Sequence, residues 1–249
     1  METPILAYHR IVKDCQPMDR GRLAIPVAQF GRQMRYLHEQ GYSCLPLIDL
    51  IKPLKHVSSR LKKGFVLTFD DGYLDFLMEA YPILSLYEFT ATVFLVTDRV
   101  GMNSNWGTAL GIPLMNWEQI RELSHRGISF GSHTCTHPQL SQLPDEQIRI
   151  ELMRSKEKLE MMLSKDIRLF AYPFGITDER IQRMAMEAGY EAACGVNRGK
   201  RGPLNLRRCP RYADESLSNF AFKLTRWYRS IEYLREDTVF GQFLRWIKH

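Results

Sequence analysis

The stretch Lys63-Gly64-Phe65-Val66-Leu67-Thr68-Phe69-Asp70-Asp71-Gly72-Tyr73 limits what this chain can fold into more than any other. Phe65, Val66, Leu67 and Phe69 form a short apolar, strand-favouring run, and Gly72 breaks it. Asp70 and Asp71 then stand at the C-terminal end of a buried strand, where α/β enzymes place their chemistry. Neighbouring side chains on a strand point to opposite faces, so two adjacent carboxylates can play two roles. One can bind a metal while the other stays free as a base. The same residues also fit an Asp-Asp-Gly turn that merely joins two elements.

A second cluster lies downstream, in Gly131-Ser132-His133-Thr134-Cys135-Thr136-His137-Pro138. It follows Gly127-Ile128-Ser129-Phe130, which reads as another short strand. Histidines four apart on a strand-end loop can converge on one cation, and imidazole with carboxylate suits zinc and similar divalent ions. Two His and one Asp supply three protein ligands and leave positions open for water and substrate. A structural zinc site would be closed. Taken alone, such a pair is more often two ordinary polar loop residues; the Asp-Asp strand end in the same chain shifts the reading of His133 and His137 toward a metal site.

Thr68-Phe69-Asp70-Asp71-Gly72-Tyr73 and Ser132-His133-Thr134-Cys135-Thr136-His137 resemble the first two motifs of the polysaccharide deacetylase family, also called the NodB-homology family or carbohydrate esterase family 4. Phe170-Ala171-Tyr172-Pro173-Phe174-Gly175 resembles the third, and the likeness runs in order over residues 4–212. The resemblance implies an irregular α/β barrel of the (β/α) type. It also implies metal-dependent hydrolysis of an acetyl or other N-acyl group on a sugar: a polysaccharide, an oligosaccharide or a glycan precursor.

The 249 residues fit one barrel-sized domain, 1–249, with 213–249 as a helical extension of it. At 45% hydrophobic residues the chain can bury a full core. The run Met1 to His9 has neither a basic leader nor a long apolar core, so the expected compartment is the cytoplasm. Cys15, Cys44, Cys135, Cys194 and Cys209 are odd in number and scattered, which agrees with a reducing compartment. The resemblance implies that Cys135 is a loop residue rather than a ligand. The net charge of +6 favours anionic partners, yet no nucleic-acid-binding motif is present, so nucleic acid is not expected.

Along the chain, residues 4–9 read as the first strand, with His9 at its end. Residues 27–40 read as a helix between Pro26 and Gly41. Residues 74–87 form a helix that Pro82 kinks or restarts. Residues 99–113, with Trp106, read as a loop over the site, and Asn116 caps a helix through His125. Helices are expected over 143–164 and 177–188. Residues 205–212 read as one final strand carrying Arg207, Arg208 and Arg211. Beyond it, Phe220, Phe222, Trp227, Tyr228, Tyr233, Phe240, Phe243 and Trp246 interleave with basic residues. They read either as helices packed on the barrel or as a peripheral membrane surface.

By the resemblance, Asp71, His133 and His137 hold one divalent metal, zinc first, with cobalt, nickel or manganese as alternatives. Asp70 is the general base, and the backbone near Tyr73 and Tyr172 supplies an oxyanion donor, Tyr73 being the preferred one. Tyr172, Pro173 and Phe174 face the substrate. The family's third motif usually opens with an arginine that pairs with the catalytic Asp, but Ala171 stands there. Arg208 is the preferred replacement and Arg211 the alternative. The family's Asp-Trp and late Leu-x-x-His elements are not found, so His9 is the candidate general acid. The competing expectations are a catalytically weak glycan-binding member and a hydrolase of a non-sugar C–N amide bond.

Overall fold

The structure is a computed structural model that describes residues 3–13, 23–52, 63–106, 111–195, 202–213, 215–225 and 228. Its elements follow a strand–helix alternation: β1 (Ile5–Tyr8), β2 (Arg10–Val12), β3 (Ala24–Pro26), α1 (Val27–Glu39), β4 (Ser43–Cys44), β5 (Gly64–Phe69), α2 (Tyr81–Leu86), β6 (Thr92–Leu95), α3 (Trp117–His125), β7 (Ser129–Ser132), α4 (Asp145–Leu163), β8 (Leu169–Ala171), α5 (Glu179–Glu187), β9 (Ala192–Gly195), β10 (Leu206–Arg207), β11 (Cys209–Pro210) and α6 (Leu217–Lys223). The main sheet runs β10-β9-β8-β7-β6-β5-β1-β11 and its pairings are parallel. It forms a nearly closed barrel ringed by helices, as the motif order implies.

The expected single strand over 205–212 is instead two short ones. β10 pairs with β9, and β11 pairs with β1, so the chain crosses from one edge of the sheet to the other within a single residue, Arg208. No straight strand can hold both edges, and the break at Arg208 brings the two ends of the sheet together.

Two apolar clusters separate along the strands as side-chain alternation requires. Leu67, Phe69, Val93, Leu95 and Phe170 pack with helix residues Phe30, Met34, Ile120 and Leu152. Val66, Phe94, Leu169, Ala171, Ala192 and Cys194 form the other cluster, which contains no α-helical residue and fills the barrel interior. Leu45 and Leu47, next to the start of β5, close the bottom of that interior. The interior is narrow: Phe94 is its large residue, and a Cβ on Gly131 would lie 2.7 Å from the Phe94 ring. Fully burying an aromatic or aliphatic side chain contributes about 1.5–3 kcal/mol, so the larger helix-facing cluster carries most of the apolar stabilisation.

Asn116 caps α3 with a full capping box, its side chain accepting from Gln119 N while Gln119 Oε1 accepts from Asn116 N. The 74–87 helix is corrected in detail. A π turn over Phe76–Ala80 precedes α2, and Tyr81 N donates to Phe76 O, five residues back. Pro82 has no N–H to return to Met78, so the helix widens there before continuing.

Of the aromatic tail, α6 is described, and Phe220 is fully buried, with its ring edge-on to Tyr36. Phe222 is exposed. Trp227, Tyr233, Phe240, Phe243 and Trp246 lie outside the described side chains. No helix among the described residues is long and apolar enough to cross a membrane.

Candidate metal centre

Asp70 and Asp71 follow directly on β5, past its last paired residue. They diverge for a different reason from strand alternation: Asp71 has φ 72° and starts a turn that Gly72 (φ 76°) completes. A Cβ on Gly72 would come within 2.5 Å of Leu95, so only glycine fits. Thr134 (φ 72°), His137 (φ 66°) and Phe174 (φ 60°) are also left-handed. Each such non-glycine residue costs on the order of 1–3 kcal/mol, and they gather around one point.

That point is the Asp71 carboxylate. Its Oδ1 lies 3.5 Å from His133 Nε2 and 3.3 Å from His137 Nε2, and all three residues are buried. One ligand atom from each lies within 4.8 Å of the others. His133 Nδ1 is 2.7 Å from Ala171 O. A carbonyl can only accept, so Nδ1 carries the proton and Nε2 turns a lone pair toward Asp71 Oδ1. Burial pushes the His133 imidazole down to about 4, which keeps it neutral near pH 7. Asp71 Oδ1 is buried with no hydrogen bond among the described residues. Two acceptors facing each other at 3.5 Å without a proton between them need a cation, and this donor set suits a divalent one. Burial opposes ionisation of Asp71, but His137, His9 and His133 hold its carboxyl below the ordinary range.

Of the two imidazoles, His133 anchors its second nitrogen on a carbonyl and His137 does not. His137 Nδ1 is buried without a hydrogen-bond partner among the described residues. Its ring is held instead by Trp106, stacked at 4.7 Å and 19°, and by Phe174, edge-on at 4.8 Å. The sequence placed the Trp106 loop over the site but gave this residue no role. A lone Trp in a loop rich in Gly and Asn was the available signal, and nothing in its spacing tied it to His137.

Asp70 turns the other way and meets Arg208. The guanidinium donates through Nη1 to Oδ1 at 2.6 Å and through Nη2 to Oδ2 at 2.7 Å. Nη1 also reaches Thr68 Oγ1 at 3.3 Å. Burial would raise the Asp70 pKa, but Arg208, joined by His133 and His9, holds the carboxyl below its usual value. Arg211, the alternative partner, is elsewhere: its Nε donates to Cys209 O and its Nη1 pairs with Glu215 at 3.1 Å.

His9, at the end of β1, places Nε2 3.7 Å from Asp70 Oδ2 and is partly exposed. The Tyr73 backbone N–H has no acceptor among the described residues, whereas Gly72 O and Leu74 N on either side bond to Met115 and Pro113. Tyr172 differs from expectation. Its N–H donates to Cys194 O at 3.0 Å and its fully buried phenol donates to Leu204 O at 2.9 Å, so it has no free amide for an oxyanion. Pro173 is buried and has no N–H. Phe174, 51% exposed, stands on the rim. Cys135 Sγ turns toward Glu151 O and is not among the clustered ligands.

A parallel barrel with a buried Asp-His-His cluster above its strand ends is the scaffold of a metal-dependent hydrolase. The Polysaccharide deacetylase family model matches residues 58–193, and the chain belongs to that family. It is 30% identical over 188 residues to YxkH of Bacillus subtilis, covering 76% of this chain and 62% of that protein. It is 28% identical over 166 residues to the poly-beta-1,6-N-acetyl-D-glucosamine N-deacetylase of Staphylococcus epidermidis, covering 63% and 56%. The chain therefore spans about 60% of the length of these relatives. Among solved structures it is similar to the Streptococcus pyogenes deacetylase PplD in complex with acetate. The TM-score is 0.80 at 28% identity, covering 90% of this chain and 99% of that one.

Proposed function

We propose that the protein is a metal-dependent hydrolase that removes an acetyl group from the amino nitrogen of a saccharide. The observation that carries this reading is the bidentate Asp70–Arg208 pair beside the Asp71, His133 and His137 cluster. Those three would hold the metal, for which the donor set favours zinc. When bound, a divalent ion acidifies water and polarises an acyl carbonyl. Asp70, kept ionised by Arg208, takes a proton from the attacking water. The Tyr73 N–H donates to the oxygen that becomes negative as the carbonyl turns tetrahedral. His9, beside Asp70 and partly open to solvent, returns a proton to the departing amine. Phe174 and Trp106 frame the mouth with aromatic surface of the kind that sugar faces stack on. The names of the relatives support an N-acetylglucosamine polymer as the substrate class.

The test is acetate release from N-acetylglucosamine oligomers by zinc-loaded protein. Asp70→Asn should keep full zinc occupancy while turnover falls roughly 10²–10⁴-fold. Wild-type turnover in that variant, or no acetate from any N-acetylated saccharide, would sink the reading.

A further inference from the structure

α4 packs its inner face through Ile148, Leu152, Leu159 and Leu163, all buried, yet the same side of the helix carries a polar stripe. Glu151, Ser155 and Lys158 recur at i, i+4 and i+7, so they line up along one face. Each bonds to the machinery around the histidine loop. Ser155 meets Ser132 Oγ at 2.7 Å, and Lys158 Nζ pairs with Asp98 at 2.9 Å. Asp98 N in turn donates to Cys135 O at 3.0 Å, and Thr97 N to Thr134 O at 3.1 Å.

Glu151 does the most. Its Oε2 accepts from Cys135 N at 2.7 Å and Thr136 N at 3.0 Å, and its Oε1 accepts from Thr136 Oγ1 at 2.6 Å. The other amides of this loop have separate acceptors: His133 N bonds to Leu95 O, Thr134 N to Ser132 Oγ and His137 N to Thr134 Oγ1. Among the described residues, the Cys135 and Thr136 amides have only Glu151 as acceptor. These two residues fix the span between the metal-binding histidines, and the left-handed Thr134 and His137 on either side must be held against their preference. Among the described residues His137 has no hydrogen bond on its second nitrogen, so its position depends on the loop backbone and on ring contacts.

We propose that Glu151 is a positioning residue that presets the His133–His137 loop for metal, acting through the backbone and touching neither metal nor substrate. The proposal rests on the metal reading of the Asp71, His133 and His137 cluster. A carboxylate near a cation also attracts it through charge, and the two effects separate by substitution. Glu151→Gln keeps acceptors for both amides and a donor for Thr136 Oγ1 but removes the charge. Glu151→Ala removes both.

The experiment measures zinc affinity of metal-stripped full-length protein by competition with a chromogenic chelator. Glu151→Ala should bind about 10–100-fold more weakly, the range for lost outer partners of metal ligands. Glu151→Gln should remain within about 3-fold of wild type, because its hydrogen bonds persist. An unchanged affinity in Glu151→Ala overturns the proposal. So does a Glu151→Gln loss as large as that of Glu151→Ala, which would assign the effect to charge. Should Glu151→Ala fail to fold, Thr136→Val on the exposed turn deletes one of the three bonds. It should weaken zinc by about 3-fold or more, and no change overturns the proposal. Wild-type protein that takes up no zinc overturns the metal reading as well, whereas failure confined to the variants overturns this inference alone.

Discussion

Arg208 grips Asp70 with two parallel N–H···O bonds of 2.6 and 2.7 Å, and it does so from the residue at which the barrel closes. The site and the fold's last seam are therefore one construction. β10 and β11 each contribute a short pairing, and the residue between them sends a guanidinium under the strand-end carboxylate.

Removing that guanidinium should be costly in two readouts. Breaking a buried ion pair by deleting one partner leaves an uncompensated charge, typically at about 3–5 kcal/mol. Arg208→Met should lower the denaturant midpoint accordingly. It should also raise the Asp70 pKa, because Arg208 is the largest of the groups that hold it low against burial. A base that protonates at higher pH moves the acid limb of the kcat/KM profile upward. A variant whose acid limb stays in place would show that Arg208 does not control the base.

Gly131→Ala tests the narrow interior. The added Cβ would meet Leu169 O and the Phe94 ring, each at 2.7 Å, and backbone on one side leaves little room to yield. Overpacking of this kind costs about 1–3 kcal/mol. Urea unfolding should show that loss, and Phe94→Leu in the same chain should recover part of it. Neutral behaviour in Gly131→Ala would mean the barrel interior relaxes more freely than its packing indicates.

The strand ends, the capped α3 and the ligand trio were legible because short apolar runs ending in Asp-Asp or His-x-x-x-His carry their own geometry. The seam at Arg208 was not. A run such as Asn205 to Tyr212 looks like one strand in sequence, and only the circumference of the sheet dictates that it must break. The π turn before Pro82 was half legible: the proline announced a disturbance but not its form. Trp106 and Glu151 were hidden for a further reason. Their partners lie 31 and 15 or 16 residues away, so no local pattern links them to the histidines.

The imidazole of His133 makes metal-stripped protein acid-sensitive in a defined window. Burial disfavours the charged form and pushes its pKa down to about 4 in the folded chain, from the ordinary 6.5. Between those values the unfolded chain binds a proton that the folded chain refuses. Stability is therefore full above pH 6.5 and falls as pH drops toward 4, by on the order of a few kcal/mol. Asp70 and Asp71, whose pKa values are depressed, withdraw their contributions at lower pH still. Thermal melts of metal-stripped protein should fall across this window, and His133→Gln should flatten the slope. An equal slope in the variant would place the titration elsewhere. Zinc loading of the native protein should oppose the loss, since only the neutral imidazole can bind.

Among the described residues, His9 is a further proton carrier with a geometric claim on the proposed reaction. Its Nε2 lies 3.7 Å from Asp70 Oδ2, close enough to exchange a proton through a small shift or one water, and its partial exposure allows recharging from solvent. An amine cannot depart as an anion, so an amide substrate needs the proton that His9 would deliver, whereas a nitrophenolate leaves unaided. His9→Asn should therefore lower kcat on N-acetylglucosamine oligomers by roughly 10²–10⁴-fold. The same variant should keep most of its activity toward p-nitrophenyl acetate. Equal losses on both substrates would assign His9 to holding Asp70 in place rather than to protonating the leaving group. No loss on either would return the search for the acid to water.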